Sequence, residues 1–126
     1  MRKKMSALSG NTKILIVDDE QGIIDSLSIM LKRSGYYYEG TTNPREAIEK
    51  VRNEHFDLMI LDYLMVPIHG DEVVRCIREF NTDLYILLLT GHKDLAPPLD
   101  TVKALDIQGY CEKSDRFDQL QLLIES

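Results

Sequence analysis

Apolar and polar residues follow one another along this chain in two rhythms. Three unbroken apolar runs stand out: Ile14-Leu15-Ile16-Val17, Leu58-Met59-Ile60-Leu61 and Leu84 to Leu89. They are short and lack polar alternation, the pattern of strands covered on both faces. Between them the apolar positions recur at helical spacing. Ile23, Leu27, Met30 and Leu31 fall at i, i+4, i+7 and i+8, and Gly35 follows as a stop. Asn43-Pro44-Arg45-Glu46 is a helix start, with a capping Asn and Pro at the first helical position. Ala47, Ile48 and Val51 then supply the apolar face of that helix. Val73, Val74, Ile77 and Phe80 mark a third helix, Leu99 and Val102 a fourth, and Phe117, Leu120 and Ile124 a fifth. Tyr36 to Glu39 and Gln108 to Cys111 fill the two remaining strand positions with weaker signals.

The alternation is β-α repeated five times. Crossovers between parallel strands must pass over the sheet, so the expected fold is α/β: a doubly wound five-stranded parallel sheet with helices on both faces. Residues 1–12 read as a flexible polar N-terminal tail and 13–126 as one domain. The last apolar stripe runs out just before Ser126, as it would in a domain cut from a longer protein.

Composition narrows the class. A chain of 126 residues, 44% hydrophobic and 29% charged, is long enough for one buried core and has the composition of a soluble globular protein, which excludes wholesale disorder. No apolar stretch approaches the roughly 18 residues needed to span a bilayer, and the basic start MRKKMSALSG lacks the apolar core of a secretory signal. The net charge of −6 argues against a nucleic-acid or anionic-membrane surface. Cys76 and Cys111 have no metal-type spacing and read as small core or near-core residues of a reduced, cytoplasmic protein.

In open α/β sheets, ligands bind beyond the carboxyl ends of the strands. Asp18, Asp19 and Glu20 follow the first strand and Asp62 follows the third. Thr90 and Gly91 end the fourth, and Lys113 follows the fifth. Each has a plain structural explanation by itself: Asp19 as a helix cap, Asp62 as a turn starter, Thr90 and Lys113 as solvated surface residues. Their convergence on one rim is harder to explain that way. Clustered carboxylates repel unless a cation intervenes, and an all-oxygen pocket suits Mg²⁺. An Asp carboxylate is a competent nucleophile toward phosphorus, while a lysine ammonium and a hydroxyl can meet the phosphoryl oxygens. The parts fit phosphoryl transfer to Asp62.

The blocks ILIVDDE at 14–20, DLMILDYLM at 57–65, ILLLTG at 86–91 and GYCEK at 109–113 make the chain from Lys13 to Ser126 resemble a response-regulator receiver domain. The resemblance implies the flavodoxin-like strand order 2-1-3-4-5. It implies that Asp62 is the phosphoacceptor, that Asp18 and Asp19 bind Mg²⁺ with the Leu64 backbone carbonyl, and that Lys113 pairs with the phosphate. Thr90 then matches the switch hydroxyl and Tyr110 the aromatic residue that reorients with it. A histidine kinase or phosphotransfer protein is implied as donor. An output domain or partner protein would read the face formed by the fourth helix and fifth strand, and phosphorylation could also drive homodimerisation. The domain itself would be a signalling phosphoacceptor that assists its own phosphorylation and dephosphorylation. Leu64 and His92 match positions flanking the path of attacking water, so the bulk of Leu64 should lengthen the phosphate's life.

The sequence departs from the family in three places. Val66 separates Met65 from Pro67, placing that proline one position late. Ser114 follows Lys113 where proline is usual, so a trans bond is expected there. Pro97-Pro98 should delay the fourth helix, which would run from about Pro97 to Asp106 behind a mobile loop over 92–96. Two alternatives share some of these features. A haloacid-dehalogenase-like phosphatase also uses an Asp nucleophile and Mg²⁺, but carries DxD after its first strand and a cap domain. A receiver-fold interaction module that has lost phosphorylation is the other.

Overall fold

The computed structural model describes residues 12–65, 68–91, 106–113 and 117–125. The elements are β1 (Lys13–Val17), α1 (Gln21–Arg33), β2 (Tyr37–Thr41), α2 (Pro44–Asn53), β3 (Leu58–Asp62), α3 (Gly70–Arg78), β4 (Tyr85–Thr90), β5 (Gly109–Glu112) and the C-terminal helix α4 (Asp118–Glu125). All strand pairs are parallel, in the order β2-β1-β3-β4-β5.

The three apolar runs occupy the middle of the sheet, and successive residues go to opposite faces. Leu15, Val17, Met59, Leu61, Ile86 and Leu88 pack against Ala47, Ile48 and Val51 of α2 and Val73, Val74 and Ile77 of α3. Ile14, Ile16, Leu58, Ile60, Leu87 and Leu89 pack on the other face against Ile24, Leu27 and Leu31 of α1 and Leu120 and Ile124 of α4. Burial on both faces explains the missing polar alternation.

The helix signals act as expected at most ends. Asn43 Oδ1 accepts from the Arg45 and Glu46 backbone N–H groups, and Pro44 opens α2. Gly35 adopts φ +82° just after α1, where a side chain would be strained. Several boundaries and placements differ from the sequence reading: β2 and β5 each begin one residue later than expected, at Tyr37 and Gly109, and extend to Thr41 and Glu112. Phe80 lies beyond the end of α3 and is partly exposed, its ring covered by the Arg52 guanidinium at 4.4 Å. Leu84 falls outside β4, although it is buried. Thr12 is buried, and its carbonyl accepts the Tyr37 N–H, so packing begins ahead of Lys13. Cys111 belongs to the core, but Cys76 is exposed, because the stripe of Val73, Val74 and Ile77 turns it outward.

The fourth helix expected from Leu99 and Val102, the loop over 92–96 with His92, the displaced Pro67, and the Lys113-Ser114 bond lie outside the described residues. Asp106, expected at the end of that helix, is a turn residue with φ +54°. The Arg78 guanidinium grips its carbonyl at 2.7 and 3.2 Å, fixing the approach to β5.

Candidate functional site

Strand ends build the site. Beyond β1 the ladder extends by one bond, from the Asp18 N–H to the Thr41 carbonyl (3.3 Å). Asp18 is thereby held at the carboxyl end of β1 and is wholly buried. Asp62 closes β3 opposite Leu89 and is 3% exposed. Thr90 closes β4, and its carbonyl accepts the Lys113 N–H at 2.7 Å, which carries β5 pairing up to the lysine.

Acidic side chains meet at the Lys113 ammonium. Lys113 Nζ lies 2.9 Å from Asp18 Oδ2, 3.3 Å from Asp62 Oδ2 and 3.7 Å from Glu20 Oε1. One ammonium thus bridges two buried carboxylates. Its contact with Asp18 Oδ2 is a close charge contact without a well-directed hydrogen bond. Thr90 Oγ1 is buried and makes no hydrogen bond among the described residues. A buried hydroxyl without a partner is costly unless something else is there to receive it.

Electrostatics follow from this packing. Burial, then the Asp18 carboxylate, push the Asp62 carboxyl up to about 7, against the pull of Lys113. Burial also raises Asp18, with the Glu20 N–H and Lys113 opposing the shift. For Lys113, burial works against the charge, but Asp18 and Asp62 outweigh it and its pKa rises. The cluster is short of positive charge.

A hard divalent cation fits that shortage. Asp18, Asp19 and Glu20 bring one carboxylate oxygen each within 4.8 Å of one another, and Asp18 and Asp62 add buried oxygens that one ammonium has to share. Oxygen-only donors on a solvent-facing rim suit Mg²⁺, which keeps several waters.

The helix-cap explanation of Asp19 does not hold, since the capping position of α1 is Glu20, whose side chain makes no capping bond. The turn explanation of Asp62 does hold beside its place in the cluster: its Oδ1 accepts the Leu64 N–H at 3.4 Å. Leu64 is 41% exposed at the mouth of the site. Tyr110 lies apart from the ionic cluster, on edge strand β5 opposite Leu88, and is 44% exposed. Glu20 had no role in the sequence reading beyond standing third in the acidic run, and its approach to Lys113 is visible only in three dimensions.

Gly70 fixes the loop below the site. Its N–H donates to the Tyr63 carbonyl at 2.7 Å, and a Cβ there would meet the Asp62 carbonyl at 2.7 Å and Tyr63 Cα at 2.9 Å. Only glycine lets α3 start this close to the end of β3.

Comparison with known proteins agrees with this geometry. The family model described as the response regulator receiver domain matches residues 14–125. The transcriptional regulatory protein ZraR of Klebsiella oxytoca is 34% identical over 113 residues, covering 88% of this chain and 25% of that protein. The alkaline phosphatase synthesis transcriptional regulatory protein PhoP of Bacillus subtilis is 39% identical over 81 residues, covering 64% of this chain and 34% of that protein. The chain therefore spans about a quarter to a third of the length of these two relatives. Among solved structures, the response regulator protein TrrA from Thermotoga maritima, in complex with Mg²⁺-BeF, superposes with a TM-score of 0.81 at 34% identity. That match covers 90% of this chain and 96% of TrrA. TrrA bound to the histidine kinase ThkA matches with a TM-score of 0.79 at 33% identity, over 90% of this chain and 96% of TrrA. The family match overrides the haloacid-dehalogenase alternative. The chain belongs to the response regulator receiver domain family, and its role is that of a two-component phosphoacceptor.

Proposed function

We propose that Asp62 is the residue that accepts the phosphoryl group, from the phosphohistidine of a histidine kinase or phosphotransfer protein. An Asp62 carboxylate oxygen attacks phosphorus as the bond to the donor imidazole breaks, and the electron pair leaves with the imidazole nitrogen. Attack needs the ionised carboxylate, and burial beside Asp18 works against ionisation. Asp18, Asp19 and the Leu64 carbonyl would hold Mg²⁺ together with Asp62. When bound, the ion supplies positive charge to the carboxylates and to the phosphoryl oxygens. Lys113 then pairs with a phosphoryl oxygen, and the Thr90 hydroxyl donates to another. The observation that carries this reading is the shared ammonium of Lys113, 2.9 Å from Asp18 and 3.3 Å from Asp62, on the rim where the buried Thr90 hydroxyl has no partner among the described residues.

The movement of Thr90 toward phosphate would be reported at the surface by Tyr110, altering the face around β5 that an output domain, partner protein or second copy reads. Leu64 at the mouth would slow in-line water and prolong the phosphate's life. The complex of TrrA with ThkA supports a kinase as donor, and the greater length of the regulatory relatives supports an output domain. We place 13–126 in the receiver, with Thr12 packed ahead of it, and the whole in the cytoplasm. Among the described residues, no helix is long and apolar enough to cross a membrane.

Beryllofluoride mimics a phosphoryl group on a carboxylate, so its binding tests the assignment. In a two-dimensional NMR titration, saturable shifts should need both Mg²⁺ and beryllofluoride and vanish in Asp62→Asn. Identical shifts in Asp62→Asn would place the acceptor elsewhere, and none in the wild type would favour a module that has lost phosphorylation.

A further inference from the structure

Three carboxylates surround the Lys113 ammonium, and they differ in freedom. Asp18 is wholly buried and Asp62 nearly so, each pinned at the end of a central strand. Glu20 is 67% exposed, makes no capping bond, and has its one ion pair among the described residues with Lys113. Its own N–H donates to Asp18 Oδ1 at 2.9 Å, which holds it beside the site whatever its side chain does.

A Mg²⁺ ion sits about 2.0–2.1 Å from its oxygen ligands. Bound by Asp18 and Asp62, it would enter the space the ammonium shares between them, and a dication and an ammonium that close repel. The ammonium has to leave Asp18 while staying on the rim, where a phosphoryl oxygen later needs it. We infer that Glu20 is a positioning residue that receives the Lys113 ammonium when a divalent cation binds between Asp18 and Asp62. This rests on the metal reading proposed above. Glu20 lowers the cost of metal entry by giving the displaced charge a carboxylate partner, and it keeps Lys113 poised at the mouth.

The test is a double-mutant cycle on Mg²⁺ affinity, measured by calorimetry at constant ionic strength on the whole chain, with no phosphodonor present. Lys113→Gln removes the competing cation and should tighten Mg²⁺ binding. Glu20→Gln should weaken it by about three- to ten-fold in the wild-type background, as coupled contacts of this kind do, and by less than about two-fold in the Lys113→Gln background. Glu20→Asp should recover part of the loss. Equal weakening in both backgrounds would make Glu20 a direct attractor of the ion and overturn the inference, as would no weakening in the wild type. Asp18→Asn separates the two levels. If it leaves Mg²⁺ affinity unchanged, the metal reading fails and takes this inference with it. If it abolishes binding while Glu20→Gln is silent, only the role of Glu20 fails.

Discussion

Two buried carboxylates share one ammonium, and ionising both Asp18 and Asp62 beside Lys113 would leave a net negative charge, which is expensive inside a protein. Contrast Glu39, midway along edge strand β2 and outside the ionic cluster around Lys113. Lys13 and Lys50 each approach it to 2.8 Å, and both also face Glu54. Hydrogen bonds from Lys13 and Lys50 lower its pKa from 4.5 to about 2. A lowered carboxyl pKa means that the folded state binds fewer protons than the unfolded one between those values. Its stabilisation is therefore full above about 4.5 and is lost as pH falls toward 2. The side chains are a third exposed, so solvent screening keeps the effect small. Glu39→Gln should cost about 1 kcal/mol at neutral pH in urea denaturation, with the gap to wild type closing on acidification and shrinking in high salt. A gap that widened toward low pH would contradict this. At this scale the sequence revealed the reactive groups, because position at a strand end is a local property. It did not reveal their partners: Lys113 with Glu20, or Lys13 with Glu39 and Glu54, are pairings that only the folded chain creates.

Strands and helices were legible for a different reason. A run such as Leu58 to Leu61 has one explanation when helices cover both faces, and all of it is buried. Ends were less so. Phe80 has the spacing of a helical residue, but α3 stops at Arg78 and the ring finds Arg52 instead. Cys76 looked like a core residue by type, and its angle on α3 decided otherwise. The contact that most directly joins element geometry to the site is Gly70 under the Asp62-Tyr63 backbone. Gly70→Ala should force these backbones apart, costing about 1–3 kcal/mol as overpacking does. The same variant should weaken Mg²⁺-beryllofluoride binding, because Asp62 shifts with its carbonyl. Gly22 in α1 has open space where its Cβ would go, so Gly22→Ala should be neutral or slightly stabilising. Thermal melts of the two variants check this, and equal stability of Gly70→Ala and wild type would remove Gly70 from the account.

For the molecule as a whole, β-α alternation was enough for a parallel sheet with two covered faces, and two separate apolar clusters occupy those faces. Alternation alone does not order the strands. The order 2-1-3-4-5 came from the family resemblance, and the strand pairing agrees with it. That order is what matters for function, because it sets β1 and β3 side by side at the centre and β4 and β5 beyond them. Asp18, Asp62, Thr90 and Lys113 then share one rim although 95 positions separate the first from the last (113 − 18). The central claim is that this rim phosphorylates Asp62 and no other residue. Intact-mass spectrometry after incubation with a small phosphodonor, with and without Mg²⁺, tests it most directly. One added phosphoryl group in the wild type, dependent on Mg²⁺ and absent from Asp62→Asn, is the result expected. An undiminished phosphate signal in Asp62→Asn would contradict it.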